Sequence, residues 1–129
     1  METEKPKILM IEDDLFLRKL YRDQFTLAGF HFIEAINGVE GINKVVGEEP
    51  DLVLLDLILP RKNGFDVLAD MKKNRKTKHI PVIILSHLPQ ESDIQEGFRL
   101  GAKDYLVKTD VRLSDVVEKV KQVLREEKT

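Results

Sequence analysis

The sequence predicts an α/β fold: a five-stranded parallel sheet with helices on both faces. Apolar runs of strand length alternate with amphipathic stretches of helix length, as repeated βαβ units require. Three of those runs are almost continuously apolar, as strands covered on both faces are. Five strand–helix pairs fit within 129 residues, the size of one domain able to bury roughly two-thirds of its unfolded surface.

Residues 7–11, 31–35, 52–56, 82–85 and 104–107 carry the strand patterns, and helices are expected over 15–28, 39–46, 64–73, 91–100 and 113–126. Asp14 reads as the cap of the first helix. Gly29, Gly47 and Gly101 stand where helix C-terminal turns call for a left-handed residue, and Asn37 with Glu40 three positions later resembles a capping box. In the last helix Leu113, Val116, Val117, Val120, Val123 and Leu124 share one face, while Glu118, Lys119, Lys121, Gln122 and Arg125 fall outside it. No repeat, low-complexity tract or flexible linker interrupts the pattern. A single domain with a core over about 7–124 is expected, with residues 1–5 and 126–129 as short charged tails.

Composition excludes more than it selects. Hydrophobic residues make up 42% and charged residues 34%, and the formal net charge of -2 gives no drive towards nucleic acid or an anionic membrane. With no cysteine, disulfides and thiolate metal sites are ruled out. No apolar stretch approaches the ~20 residues of a membrane helix. A soluble, cytoplasmic chain is expected.

Chemistry concentrates at one sheet edge. Glu12 and Asp13 follow the first strand, Asp56 ends the third, Ser86 follows the fourth and Lys108 the fifth. Parallel neighbours lie about 4.8 Å apart, so adjacent strands would bring the acids together. Crowded carboxylates repel and raise one another's pKa, and a divalent cation with oxygen ligands relieves that cost. Mg²⁺ suits such a donor set, whereas zinc is disfavoured by the absence of cysteine and of paired histidines here. At a site that binds a phosphoryl group, Asp56 can attack phosphorus, Lys108 can neutralise oxygen charge and Ser86 can donate a hydrogen bond. Taken singly, each has an ordinary reading: Asp56 as a turn or cap residue, Ser86 as a loop residue, Lys108 as a solvated cation and Tyr105 as half-buried core. Their joint arrival at one edge favours the site.

The same residues carry a resemblance to the receiver domain of two-component response regulators, over nearly the whole chain from Lys7 to about Leu124. Ile11-Glu12-Asp13-Asp14 resembles the acidic pair after the first strand. The segment from Pro50 through Asp56 to Pro60, followed by Asn63-Gly64, resembles the phosphoacceptor region, and Pro81 to Ser86 and Gly101 to Lys108 complete the likeness. It implies a flavodoxin-like sheet of order 2-1-3-4-5. It also implies Asp56 as the phosphorylation site, with Asp56, Glu12, Asp13 and the Ile58 carbonyl holding Mg²⁺. Ser86 becomes the hydroxyl switch, Tyr105 the rotating aromatic and Lys108 the phosphate-pairing cation. A sensor histidine kinase or phosphotransfer protein is the implied donor. Phosphorylation is implied to remodel the face made by the fourth helix, fifth strand and fifth helix, which then binds or releases a downstream protein, the chain being a monomer or a phosphorylation-dependent dimer.

Several positions depart from the family pattern. Thr109 replaces the usual proline after Lys108, so either a cis bond is borne at about 2.5–4 kcal/mol or the loop differs. His87 stands where a small residue is usual, and Arg61 where glycine is frequent. Ile58 and Leu88, two residues beyond Asp56 and Ser86, are apolar where some receivers place side chains that orient the hydrolytic water, so slow loss of the phosphoryl group is expected. A phosphatase of the haloacid dehalogenase kind is disfavoured because it wants a second Asp at position 58. The remaining alternatives are a phosphorylation-independent interaction module and the receiver part of a longer regulator. No helix-turn-helix is present, so no nucleic-acid binding is expected within these residues.

Overall fold

The computed structural model describes residues 5–128 and contains one sheet of five parallel strands. The elements run β1 (Lys7–Ile11), α1 (Leu15–Leu27), β2 (His31–Ala35), α2 (Gly38–Glu48), β3 (Leu52–Leu55), α3 (Gly64–Lys73), β4 (Val82–Ser86), α4 (Glu91–Arg99), β5 (Asp104–Val107) and α5 (Leu113–Glu127). The expected residues 1–4 of the N-terminal tail, and Thr129, lie outside the described residues. At the other end α5 continues through Glu127, so Glu126 is helical rather than part of a tail.

Strand order is β2-β1-β3-β4-β5, all parallel. After β1 the chain steps outward to β2, then returns to the other side of β1 as β3. That reversal opens a crevice beyond the C-terminal ends of β1 and β3, where open α/β sheets bind ligands.

Alternation along the strands divides the core into two layers. Leu9, Ile11, Val53, Leu55, Val82 and Ile84 meet Val45 of α2 and Val67, Leu68 and Met71 of α3 on one face. Ile8, Met10, Leu52, Leu54, Ile83 and Leu85 meet Tyr21 and Phe25 of α1 and Val116, Val117, Val120 and Val123 of α5 on the other. Phe25 is the hub of the second layer, its ring 5.4 Å from Phe30 and 5.5 Å from Phe32. Both faces of the sheet are therefore dry, which is why the three central strands contain almost no polar residues.

Helix ends show where local reading holds. Asp14 caps α1 by accepting from Leu17 N–H at 3.1 Å. Gly29 (φ 92°) and Gly101 (φ 106°) take the left-handed conformation expected of them. Gly47 does not: it lies inside α2, and the left-handed residue is Glu49, φ 49°. The pairing of Asp51 N–H with the Lys7 carbonyl at 2.8 Å fixes where β3 begins, and the reversal falls just before it, whichever residue stands there. The capping box at α2 is half formed: Asn37 accepts from Glu40 N–H at 2.8 Å, but the Glu40 carboxylate reaches back to Ile36 N–H rather than to the cap.

The β3–α3 loop is shaped by two unusual positions. Arg61 has φ 71°, so it adopts the conformation for which glycine is the low-cost residue. Gly64 opens α3 against the Asp56–Leu57 peptide, and a Cβ there would run into the Asp56 carbonyl oxygen and Leu57 Cα. Those neighbours are backbone of a buried turn and cannot swing aside. Gly64→Ala is expected to cost about 2 kcal/mol or more, as overpacking does, and denaturant unfolding of the variant measures it; parent-like stability would contradict this packing.

Candidate functional site

Register sets the site. Ile11 and Leu55 are partners in the β1–β3 pairing, so the next residues, Glu12 and Asp56, leave the sheet side by side. Asp56 N–H donates to the Ile11 carbonyl at 3.1 Å and Glu12 N–H to the Ala35 carbonyl at 3.0 Å, extending the ladders by one residue and holding both acids at the edge. Glu12 is 2% and Asp56 7% exposed, while Asp13 is exposed. One carboxylate oxygen from each of Glu12, Asp13 and Asp56 lies within 4.8 Å of the others.

Lys108 reaches into this group from the end of β5. Its Nζ lies 2.5 Å from Glu12 Oε1 and 3.5 Å from Asp56 Oδ2, with both carboxylates and the ammonium largely buried. Glu12 Oε2 accepts from Asp14 N–H at 3.1 Å and Asp56 Oδ1 from Leu57 N–H at 2.8 Å. Burial pushes the Glu12 carboxyl above its usual range; the hydrogen bond from Lys108 opposes this, and the Asp56 charge adds to it. Two buried acids with one ammonium between them are short of positive charge. An oxygen-only donor set with that deficit fits a hard divalent cation such as Mg²⁺.

Ser86 and Tyr105 form a second group. Ser86, fully buried at the end of β4, accepts from Leu88 N–H at 3.1 Å, and the Tyr105 hydroxyl donates to the Leu88 carbonyl at 2.8 Å. The Leu88 peptide thus links the two, and no hydrogen bond among the described residues joins either to the carboxylates. Tyr105 packs inward beside Gly97 of α4, where a Cβ would meet Ile84 Cδ1 at 2.7 Å and the tyrosine ring at 3.2 Å. Ile58 lies in the turn two residues past Asp56 with its side chain turned outward, 64% exposed. His87 is exposed beside the site. No cis peptide bond occurs among the described residues; Lys108–Asp110 forms a short 3-10 turn, so the loop after β5 accommodates Thr109 by taking that shape.

Sequence reasoning missed the backbone linkage through Leu88 and the buried hydrogen bond that Arg18 Nη1 donates to the Glu12 carbonyl at 3.0 Å. The latter left a signal: Arg18 is a charge on the same helical face as Tyr21 and Phe25, at spacings of three and seven.

Comparison with known proteins places this arrangement. Residues 8–121 match the family model described as the response regulator receiver domain. The chain is 36% identical over 120 residues to the DNA-binding dual master transcriptional regulator RpaA of Synechocystis, covering 93% of this chain and 49% of that protein. It superposes on the CheY-like receiver domain protein from Methanospirillum hungatei with a TM-score of 0.89 at 25% identity, over 96% and 97% of the two chains. The Mn²⁺-bound form of the response regulator Rcp1 matches with a TM-score of 0.78 at 29% identity, over 92% and 91%. The chain belongs to the receiver domain family of two-component response regulators. Its sheet order and five helices are those of the CheY-like fold, and phosphorylation-dependent switching is the typical function of that family. It spans about half the length of the curated relatives it matches.

Proposed function

We propose that Asp56 is the phosphoacceptor of this receiver and that Glu12, Asp13, Asp56 and the Ile58 carbonyl hold Mg²⁺ beside it. The observation that carries the reading is the buried cluster in which Asp56 sits 3.5 Å from the Lys108 ammonium and shares a 4.8 Å circle with Glu12 and Asp13. Chemistry proceeds by attack of a carboxylate oxygen of Asp56 on phosphorus; the bond from phosphorus to the donor nitrogen of a phosphohistidine breaks, and the imidazole leaves. The product is an acyl phosphate. When bound, Mg²⁺ supplies charge neutralisation of the phosphoryl oxygens. Lys108 then exchanges its contact with the carboxylate for one with a phosphoryl oxygen, and Ser86 supplies a hydroxyl hydrogen bond.

The phosphoryl group carries a charge of about -1.5 to -2 in place of the single charge of the carboxylate, and its oxygens draw the Ser86 hydroxyl towards them. Because Leu88 N–H is bonded to Ser86 and the Leu88 carbonyl to Tyr105, that movement tugs the loop before α4 and frees or retains the tyrosine. The face of α4, β5 and α5 carries the signal to a downstream protein. A histidine kinase or phosphotransfer protein is the donor, residues 7–124 form the single receiver domain, and the cytoplasm is its compartment; no described helix is long and apolar enough to cross a membrane. Incubation with acetyl phosphate and Mg²⁺, followed by intact-mass measurement, should show one added phosphoryl group that disappears when EDTA replaces Mg²⁺. An unmodified parent chain at every Mg²⁺ concentration would favour a phosphorylation-independent interaction module.

Loss of the phosphoryl group should be slow for a receiver. The apolar Ile58 and Leu88 side chains offer no group that could orient the attacking water. The double variant Ile58→Asn, Leu88→Gln is expected to lose phosphate about tenfold faster, below the roughly 10²–10⁴-fold that a full general acid or base contributes, because an amide orients water without taking its proton. Decay curves of the isolated acyl phosphate test this, and equal half-lives would contradict it.

A further inference from the structure

Arg18 is a buried cation with no place in the chemistry above. It projects from α1 and is only 9% exposed, so its guanidinium must have its hydrogen bonds met within the protein. Its Nη1 donates to the Glu12 carbonyl at 3.0 Å and its Nε to Glu34 Oε1 at 3.1 Å. Glu34, in β2, is itself braced: Arg22 donates to Oε2 at 2.9 Å, and Lys44 from α2 donates to the Glu34 carbonyl at 2.5 Å. On its other side the Glu12 main chain is tied to β2 through Ala35. The peptide that carries the buried acid is therefore gripped from the sheet and from the helix, and the grip leads through Arg18 to a residue held by two further cations, Arg22 on its carboxylate and Lys44 on its carbonyl.

We infer that Arg18 is a positioning residue for the divalent-cation site: clamped by Glu34, it holds the Glu12–Asp13 peptide so that both carboxylates converge with Asp56. The inference rests on the reading of those acids as metal ligands. Arginine has no lone pair to offer a metal, so Arg18 acts through Glu12 and not on the ion. Two effects of removing it have opposite sign. Losing a positive charge near the site strengthens cation binding, whereas losing the brace weakens it, and outer-shell partners of metal ligands typically contribute ten- to hundredfold.

Calorimetric titration of the full chain with MgCl₂ separates them, using the parent, Arg18→Met, Arg18→Lys and Glu34→Gln, each also unfolded thermally without Mg²⁺. Arg18→Met should bind Mg²⁺ about tenfold more weakly. Arg18→Lys should recover part of the loss, since it keeps one donor but not the fork. Glu34→Gln loosens the clamp and removes a negative charge, both of which weaken cation binding, so unchanged binding in it also overturns the inference. Affinity at or above the parent's in Arg18→Met, with or without a lowered thermal midpoint, overturns the inference and leaves Arg18 a structural residue. Should that variant fail to fold, Arg18→Lys decides, because it keeps the positive charge and removes only the fork: weaker binding supports the brace and unchanged binding overturns it. A parent chain that binds no Mg²⁺ overturns the reading of the site and the inference with it, whereas parent-like binding by the variants overturns the inference alone.

Discussion

Asp56→Asn is expected to abolish the Mg²⁺-dependent phosphoryl adduct completely while leaving the fold intact. An amide oxygen lacks the charge that makes the carboxylate a nucleophile, and Glu12, the other buried acid at the edge, is already engaged by the Lys108 ammonium at 2.5 Å and by Asp14 N–H at 3.1 Å. The fold should survive because Asn Oδ1 can still accept the Leu57 N–H bond, which spans 2.8 Å in the parent, and because one of two crowded buried charges is removed. Intact-mass measurement with acetyl phosphate, together with a thermal unfolding curve, checks both halves. An adduct of parent-like yield would place the acceptor elsewhere.

Lys108→Met separates binding from chemistry. The ammonium lies 2.5 Å from Glu12 and 3.5 Å from Asp56, close enough to meet a phosphoryl oxygen that arrives on Asp56. Removing one such fixed electrostatic partner from a buried site slows a reaction by about 10²–10³-fold, and a loss of that order in the rate of modification by acetyl phosphate is expected. Mg²⁺ should bind no more weakly, because a cation that competes for the same carboxylates has gone. The pair of results is diagnostic: a slower reaction with weaker metal binding would mean that Lys108 mainly holds the site together.

How much of this could be read from the chain alone depended on whether a signal was local. β1 and β3 announced themselves because both sheet faces are covered, which forces an unbroken apolar run, and the acids that end those runs stood out for the same reason. Their adjacency came with the order 2-1-3-4-5 that the family resemblance implied, whereas the register that sets Ile11 against Leu55 is seen in the structure. Signals failed where tertiary pairing overrode local preference. Gly47 looked like the end of α2, yet the helix ran on and Glu49 took the left-handed turn, because the start of β3 is pinned to Lys7. The Glu40 arm of the capping box went to Ile36 for want of anything in the local sequence to direct it to Asn37. Arg61 raised a question about the loop that its φ of 71° answers: the chain keeps the path that suits glycine and bears the strain of a side chain there. Arg18 was overlooked because its partners, Glu12 and Glu34, come together only when α1 packs across β1 and β2.

The most direct measurement is location of the modified residue. An acyl phosphate, unlike a phosphate ester, is reduced by borohydride to an alcohol, so treatment of the acetyl-phosphate-modified chain should convert Asp56 to homoserine and leave every other residue unchanged. Peptide sequencing by mass spectrometry that finds homoserine at position 56, dependent on Mg²⁺, is the predicted result. Homoserine at position 13 or 14, a borohydride-resistant phosphate on Ser86, or no modified peptide from a folded chain would contradict it.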